Sequence, residues 1–398
     1  MTQQGLLAGI DAFRNHLPVD IRFGEGVVAG LPSIVRAEKA RHAFVVLDAV
    51  ADDLPGVAQA LASLEAEGVE ITRREKETGE PTAREVDAVS EALAGAAPDI
   101  LIAIGGGSVI DVAKTARLAA SARLPYLSVA GDPYVAESEP TIPLVTVPTT
   151  AGSGSEVSGG AVITDEATHR KTGISAPFLR AGYALVDPAL TYGAPSTVTA
   201  WSGIDALAQA IAAIVTSSRT PVGTAVALEA IRLAGRALPR VVADGEDRAA
   251  RQEMACASLM AGLAMNISDC GSEHSLAQAL GGRFGLPHGL TIGLVLAESM
   301  DVDRRGAPEL FERIADALGE APDGTHDGSR AVRGVERILA EIDFPVLGAL
   351  EVDESEVDDL AAAALEDVFI ALAPWSWTAD DAKGVYRQAL SLTGRATS

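Results

Sequence analysis

Cysteine is nearly absent: only Cys256 and Cys270 occur in 398 residues. That excludes a disulfide framework, a CxxC pair and a cysteine zinc site, and it suits a reducing cytosol. Basic residues are also scarce, 31 Lys and Arg against 55 Asp and Glu, which leaves a net charge of −24 and a pI near 4.6. Nucleic acid and anionic membranes would be repelled by such a surface, so neither is expected as a partner. The N-terminus shows no basic segment followed by a continuous apolar core, and no apolar run reaches the roughly 20 residues of a membrane helix. A soluble cytoplasmic protein is the expectation.

With 48% hydrophobic residues, the chain can fill the cores of two or three domains, and two are expected. Short apolar runs alternate with helical periods in the first half, predicting an α/β domain with a parallel sheet and helices on both faces. AFVVLDAV (residues 43–50) is a run of the buried-strand type that ends in Asp48. A carboxylate at that strand end can accept hydrogen bonds from a ribose diol and repel a 2′-phosphate, which favours NAD over NADP. On spacing alone, Asp48 is equally a plain loop carboxylate.

DILIAIGGGSVIDVAKTARLAA (residues 99–120) reads as a strand, three glycines at Gly105, Gly106 and Gly107, and a helix starting at Ser108. Backbone amides at such a turn, backed by the helix dipole, can take a pyrophosphate. GGGS is not GxGxxG, however, and a tight turn explains the glycines equally well. Downstream, Thr149, Thr150 and Ser153 lie in a loop dense in Thr, Ser and Gly, ahead of a hairpin turning at Asp165 and Glu166. Lys171 follows as a further positive charge.

From Ser196 onward the text becomes long Ala/Leu-rich helical periods, so the boundary is placed at 190 with domains of 1–190 and 191–398. Two stretches in the second half carry candidate ligands: SGIDALAQA with Asp205, and EHSLAQALGGRFGLPHG with His274 and His288. Asp205 and Gln209, four apart, share a helix face, as do His274 and Gln278. A return through Gly281, Gly282 and Pro287 would let His288 approach His274. One carboxylate and two imidazoles can bind a divalent cation of the Zn or Fe kind. Residues scattered in this way are more often surface or core residues than ligands. His16, His42, His169 and His326 read as surface histidines, and EAPDGTHDGSR (residues 320–330) as an exposed loop.

GGGSVIDVAK, VPTTAGSGSE, LVDPALTYGAPSTVTAWSGIDAL and HSLAQALGGRFGLPHG, in this order, resemble the iron-containing alcohol dehydrogenase family, which also holds glycerol dehydrogenase-like enzymes. The likeness spans nearly the whole chain. It implies an α/β N-terminal dinucleotide-binding domain plus an all-α C-terminal domain, the dehydroquinate synthase-like fold, with NAD(P) and a divalent metal, Fe or Zn. Position by position, it implies Asp205, His274 and His288 as metal ligands and Gly105, Gly106, Gly107, Ser108 and Asp111 as the pyrophosphate turn. Thr149, Thr150 and Ser153 match the nucleotide loop, Asp48 the ribose discriminator, and Lys171 a lysine beside the cofactor.

Two departures fall on the chemistry. Gln209, a candidate fourth metal ligand, stands where the family usually has a histidine ligand, and Gln278 where it usually has a histidine close to the nicotinamide. An amide oxygen ligates weakly and an amide carries no titrating proton near neutral pH. The implied function is metal-assisted hydride transfer between a small alcohol and its aldehyde or ketone, involving Asp205, His274, His288 and Gln278, in a homodimer. The alternatives are a metal-independent reductase like maleylacetate reductase and an inactive nucleotide-binding relative. Tyr134, Trp201, Phe284, Trp375 and Trp377 are candidate pocket walls, and Arg283 a candidate partner for an anionic aldehyde.

Overall fold

The computed structural model describes residue 13 and residues 15–132, 140–168, 170–344, 352–390 and 392–393. Tyr134 and His169 lie outside the described residues. The chain divides into two compact units between Ala194 and Pro195, the second also taking the described residues ahead of Leu17.

In the first unit, strands β1 (Asp20–Phe23), β2 (His42–Leu47), β3 (Glu70–Glu75), β4 (Ile100–Gly105), β5 (Leu144–Pro148) and β8 (Tyr183–Val186) form one parallel sheet in the order β1-β8-β5-β4-β2-β3. Helices α1 (Leu31–Ala37), α2 (Ala49–Asp52), α3 (Pro55–Ala66), α4 (Ala83–Ala96), α5 (Gly107–Ala122) and α6 (Tyr126–Gly131) connect the strands. Alternation along β2 and β4 explains why both faces need cover. Phe44, Val46, Leu101 and Ala103 join the core under α4 and α5, whereas Val45, Leu47, Ile102 and Ile104 join the core under α1 and α3.

Strand order reverses between β2 and β4, the topological switch point at which open α/β sheets bind ligands beyond their strand ends. The residues that follow those two strands are Asp48 and the glycine turn. The expected hairpin is β6 (Gly160–Asp165) against β7 (Arg170–Ser175), with Asp165 opposite Arg170.

The second unit is helical: α7 (Ser196–Val215), α8 (Pro221–Ala243), α9 (Arg248–Ser268), α10 (Ser272–Phe284), α11 (His288–Asp303), α12 (Pro308–Ala317), α13 (Ser329–Glu341), α14 (Glu356–Glu366) and α15 (Ala379–Ala389). Helix α7 is its axis, packed by α8, α9 and α11. Every residue of α7 from Gly203 to Val215 is buried. By length and composition α7 alone among the described helices could cross a membrane, contrary to the expectation that no run is long enough, but 83% of its apolar window is covered by this protein. Its apolar character is that of a core helix buried on all sides.

Candidate functional site

In the α/β unit, a candidate binding site is built where β2 and β4 end. Asp48 caps α2, its Oδ1 accepting the Ala51 N–H at 2.8 Å. Its Oδ2 lies 2.9 Å from the point where a side chain on Gly105 would begin, and Val109 Cγ2 lies 2.5 Å from that point. Glycine is therefore required at 105 by close approach. A side chain on Gly107 would meet Ser153 Oγ at 2.5 Å, one on Gly106 would meet Thr150 Oγ1 at 3.4 Å, and the Thr149 N–H donates to Gly105 O at 3.0 Å. The hydroxyl loop thus folds directly onto the glycine turn, and α5 begins there, at Gly107, without a side-chain cap. Ser108 sits in its first turn. Oriented amides, a helix N-terminus and hydroxyls together can hold phosphate.

Asp111 and Lys171 have other partners. The Asp111 carboxylate accepts from Ser155 Oγ and from the Val162 N–H at 3.0 Å, tying α5 to the hydroxyl loop and to β6. Lys114, fully buried, donates to Gly160 O at 2.6 Å and Ser158 O at 3.1 Å, and burial pulls its amine down to about 8. Lys171 Nζ is paired with Glu80 Oε2 at 2.7 Å.

In the helical unit, a second candidate site gathers three helices. Asp205 lies mid-way along α7, His274 in the first turn of α10, and His288 opens α11. Asp205 Oδ1 is 3.5 Å from His274 Nε2 and 3.6 Å from His288 Nε2, and the three donor atoms all lie within 4.8 Å of one another. The expected return through Gly281 and Gly282 takes a different form: α10 runs through both, and the reversal is made by Gly285, whose φ of 65° ends the helix before Pro287 redirects the chain. Gly289 then permits a close crossing. A side chain there would meet Trp201 O at 2.4 Å, and Trp201 is one turn before Asp205 on α7. Gly289→Ala should force α11 away from α7, carry His288 off Asp205 and lower kcat/KM about tenfold or more, measured by steady-state kinetics beside an unchanged circular dichroism spectrum.

Burial pushes the Asp205 carboxyl up, but the imidazoles of His288 and His274 and the Gln209 amide outweigh that and hold it below its ordinary value. Burial likewise opposes charge on His274, yet its surroundings, Cys270, Asp205 and Glu273, raise its pKa well above normal. A field that draws a proton to this spot also draws a cation. Asp205 Oδ1 is buried without a hydrogen-bond partner. Buried acceptors are nearly always satisfied. Metal–ligand bonds of about 2.0–2.2 Å at tetrahedral angles separate neighbouring ligand atoms by roughly 3.4 Å. The two Asp205 distances match that spacing, so the residues fit a divalent ion.

Gln209 and Gln278 are both buried, one turn beyond Asp205 and His274 respectively. Phe369 packs edge-on against His274, ring centroids 6.5 Å apart. Arg283 is paired with Glu356 at 2.6 Å, so its charge is already matched within the protein. Trp375 and Trp377 donate to Asp381 and Asp303, and Phe284 ends α10 half-buried.

Sequence reasoning passed over Glu273, because neighbours on a helix point about 100° apart. Its Oε1 lies 2.7 Å from His274 Nδ1. It also missed Asp303, which accepts Ser272 Oγ at 2.6 Å and Trp377 Nε1 at 2.8 Å and so pins the start of α10 to the end of α11. Burial pushes the Asp303 carboxyl up to about 7, the Ser272 and Trp377 hydrogen bonds oppose that rise, and the charge on Glu273 adds to it. A raised native pKa contributes stability that is present below the ordinary value and lost as pH climbs through about 7. Asp303→Asn should therefore flatten, by on the order of a few kcal/mol, the fall in unfolding free energy between pH 5 and 8. Urea unfolding of both proteins at the two pH values checks this; identical slopes would contradict it.

The chain matches the family described as iron-containing alcohol dehydrogenase over residues 18–188, and the C-terminal part of that family over residues 199–390. It belongs to the iron-containing alcohol dehydrogenase family. Among its relatives in this family, the probable alcohol dehydrogenase EutG of Escherichia coli K12 is 33% identical, the match covering 92% of each chain. The solved structure of a 1,3-propanediol oxidoreductase superposes with a TM-score of 0.90 at 29% identity, covering 95% of this chain and all of that one. Sulfoacetaldehyde reductase from Bifidobacterium kashiwanohense, solved in complex with NAD+, superposes at 0.85 with 28% identity over 95% and 99% of the two chains. The α/β unit and the helical unit are those of the iron-containing alcohol dehydrogenase fold.

Proposed function

We propose that this member of the family is an NAD-dependent oxidoreductase that interconverts a small alcohol and its aldehyde or ketone by metal-assisted hydride transfer. The observation that carries the reading is the convergence of Asp205 Oδ1 with the Nε2 atoms of His274 and His288. Two acceptor nitrogens and a carboxylate oxygen would hold Fe or Zn and leave a coordination position for substrate. Bound there, a divalent ion acts as a Lewis acid that stabilises charge developing on the substrate oxygen.

The remaining work falls to the chain. Asp205 supplies the negative charge that makes the site selective for a cation, and its helix, buried on every side, fixes where that charge sits. His274 is buried and held at Nδ1, so its other nitrogen has one direction available. The His288 side chain is 30% exposed and marks the face that a substrate can reach. Phe369 offers an apolar wall beside His274. Gln278 can donate or accept a hydrogen bond but carries no titrating proton near neutral pH, so the alcohol proton leaves through water or the ribose hydroxyls. In the α/β unit, the glycine turn and hydroxyl loop would take the pyrophosphate, and Asp48 the adenosine ribose diol.

The substrate is a small molecule; the named relatives act on 1,3-propanediol and sulfoacetaldehyde. Two free thiols suit the reducing cytoplasm. Chelation should abolish aldehyde-dependent NADH oxidation, and Fe2+ or Zn2+ should restore it. Full turnover in verified metal-free protein would overturn the reading.

A further inference from the structure

Glu273 is 4% exposed, and a buried carboxylate costs several kcal/mol unless something compensates it. It lies in the first turn of α10, a helix whose N-cap, Gly271, offers no side chain. Its carboxylate curls back over the helix start, where Oε1 accepts the Gly271 N–H at 3.3 Å and faces His274 Nδ1 at 2.7 Å. Room for this exists only because residue 271 is glycine: a side chain there would begin 2.6 Å from Glu273 Oε2.

We propose that Glu273 is the positioning residue for His274. Its Oε1 accepts a hydrogen bond from the His274 Nδ1–H, which fixes the tautomer and turns the Nε2 lone pair toward the point that His274 shares with Asp205 and His288. It also sets the charge of the site. Asp205 and Glu273 bring two carboxylates to the cluster, and the imidazoles must be neutral to ligate, so a dication matches the charge of the two carboxylates. Gln209, one turn beyond Asp205, offers only a weakly ligating amide oxygen, so the orientation of the two imidazoles matters more to this site. Outer-shell carboxylates of this kind are worth 10- to 100-fold in metal affinity.

The inference rests on the metal site proposed above, and the test separates the two. Metal-stripped wild type, Glu273→Gln, Glu273→Ala, Gly271→Ala and Asp205→Ala are titrated with Zn2+ against a chromophoric chelator and with Co2+ by visible absorption. Glu273→Ala is expected to bind about 10- to 100-fold more weakly, with an altered Co2+ spectrum. Glu273→Gln, which keeps an acceptor oxygen but no charge, should fall between that variant and wild type. Gly271→Ala should weaken binding with Glu273 intact, a result that a general loss of core packing around residue 273 would not give, and it decides the matter if Glu273→Ala fails to fold. Binding within about threefold of wild type in both Glu273→Gln and Gly271→Ala, while Asp205→Ala loses the metal, overturns the role of Glu273 and leaves the metal site standing. Metal retained by Asp205→Ala overturns the site itself.

Discussion

Asp205→Ala is expected to strip the protein of its divalent metal and to lower kcat/KM with an aldehyde and NADH by about a thousandfold or more, with an intact far-UV circular dichroism spectrum. The size follows from position: Asp205 Oδ1 is the atom both imidazoles face, at 3.5 and 3.6 Å, so its removal dismantles the site and not one edge of it. The fold should survive because the substitution places the best helix former in a helix already buried on all sides, and it removes a buried carboxylate. Metal analysis and steady-state kinetics on one preparation check both parts. A variant that keeps stoichiometric metal and wild-type turnover would exclude Asp205 as a ligand.

A preference of about 100-fold in kcat/KM for NADH over NADPH is the second expected result, falling below about tenfold in Asp48→Asn. Asparagine keeps an oxygen for the Ala51 N–H, so the cap of α2 survives while the charge goes. The remaining carboxylate oxygen sits over Gly105 at the switch point, where an added 2′-phosphate would face like charge. Equal rates with both coenzymes in the wild type would remove Asp48 from the account.

Strong local signals made much of the architecture legible. The apolar run that became β2, the GGGS turn and the start of α7 at Ser196 were each fixed by period or by glycine, and those cues are physical constraints on the backbone. Asp205, His274 and His288 could be named from motifs and their convergence was implied by the resemblance, but the distances between them depend on how α7, α10 and α11 cross. The turn was misplaced for a related reason. Gly281 and Gly282 looked like the break, yet helix packing carried α10 through them, and the left-handed residue at its end is Gly285. Glu273 and Asp303 were invisible because their roles rest on a helix-start backfold and on a contact 31 residues away in sequence. Lys171 and Arg283 read as free cations until the structure gave each a carboxylate.

The most direct test is anomalous diffraction from crystals of the zinc-loaded protein. A single strong peak is predicted, about 2.0–2.2 Å from Asp205 Oδ1, His274 Nε2 and His288 Nε2. Zinc bound elsewhere, or none bound in crystals of protein that turns over fully, would contradict the account.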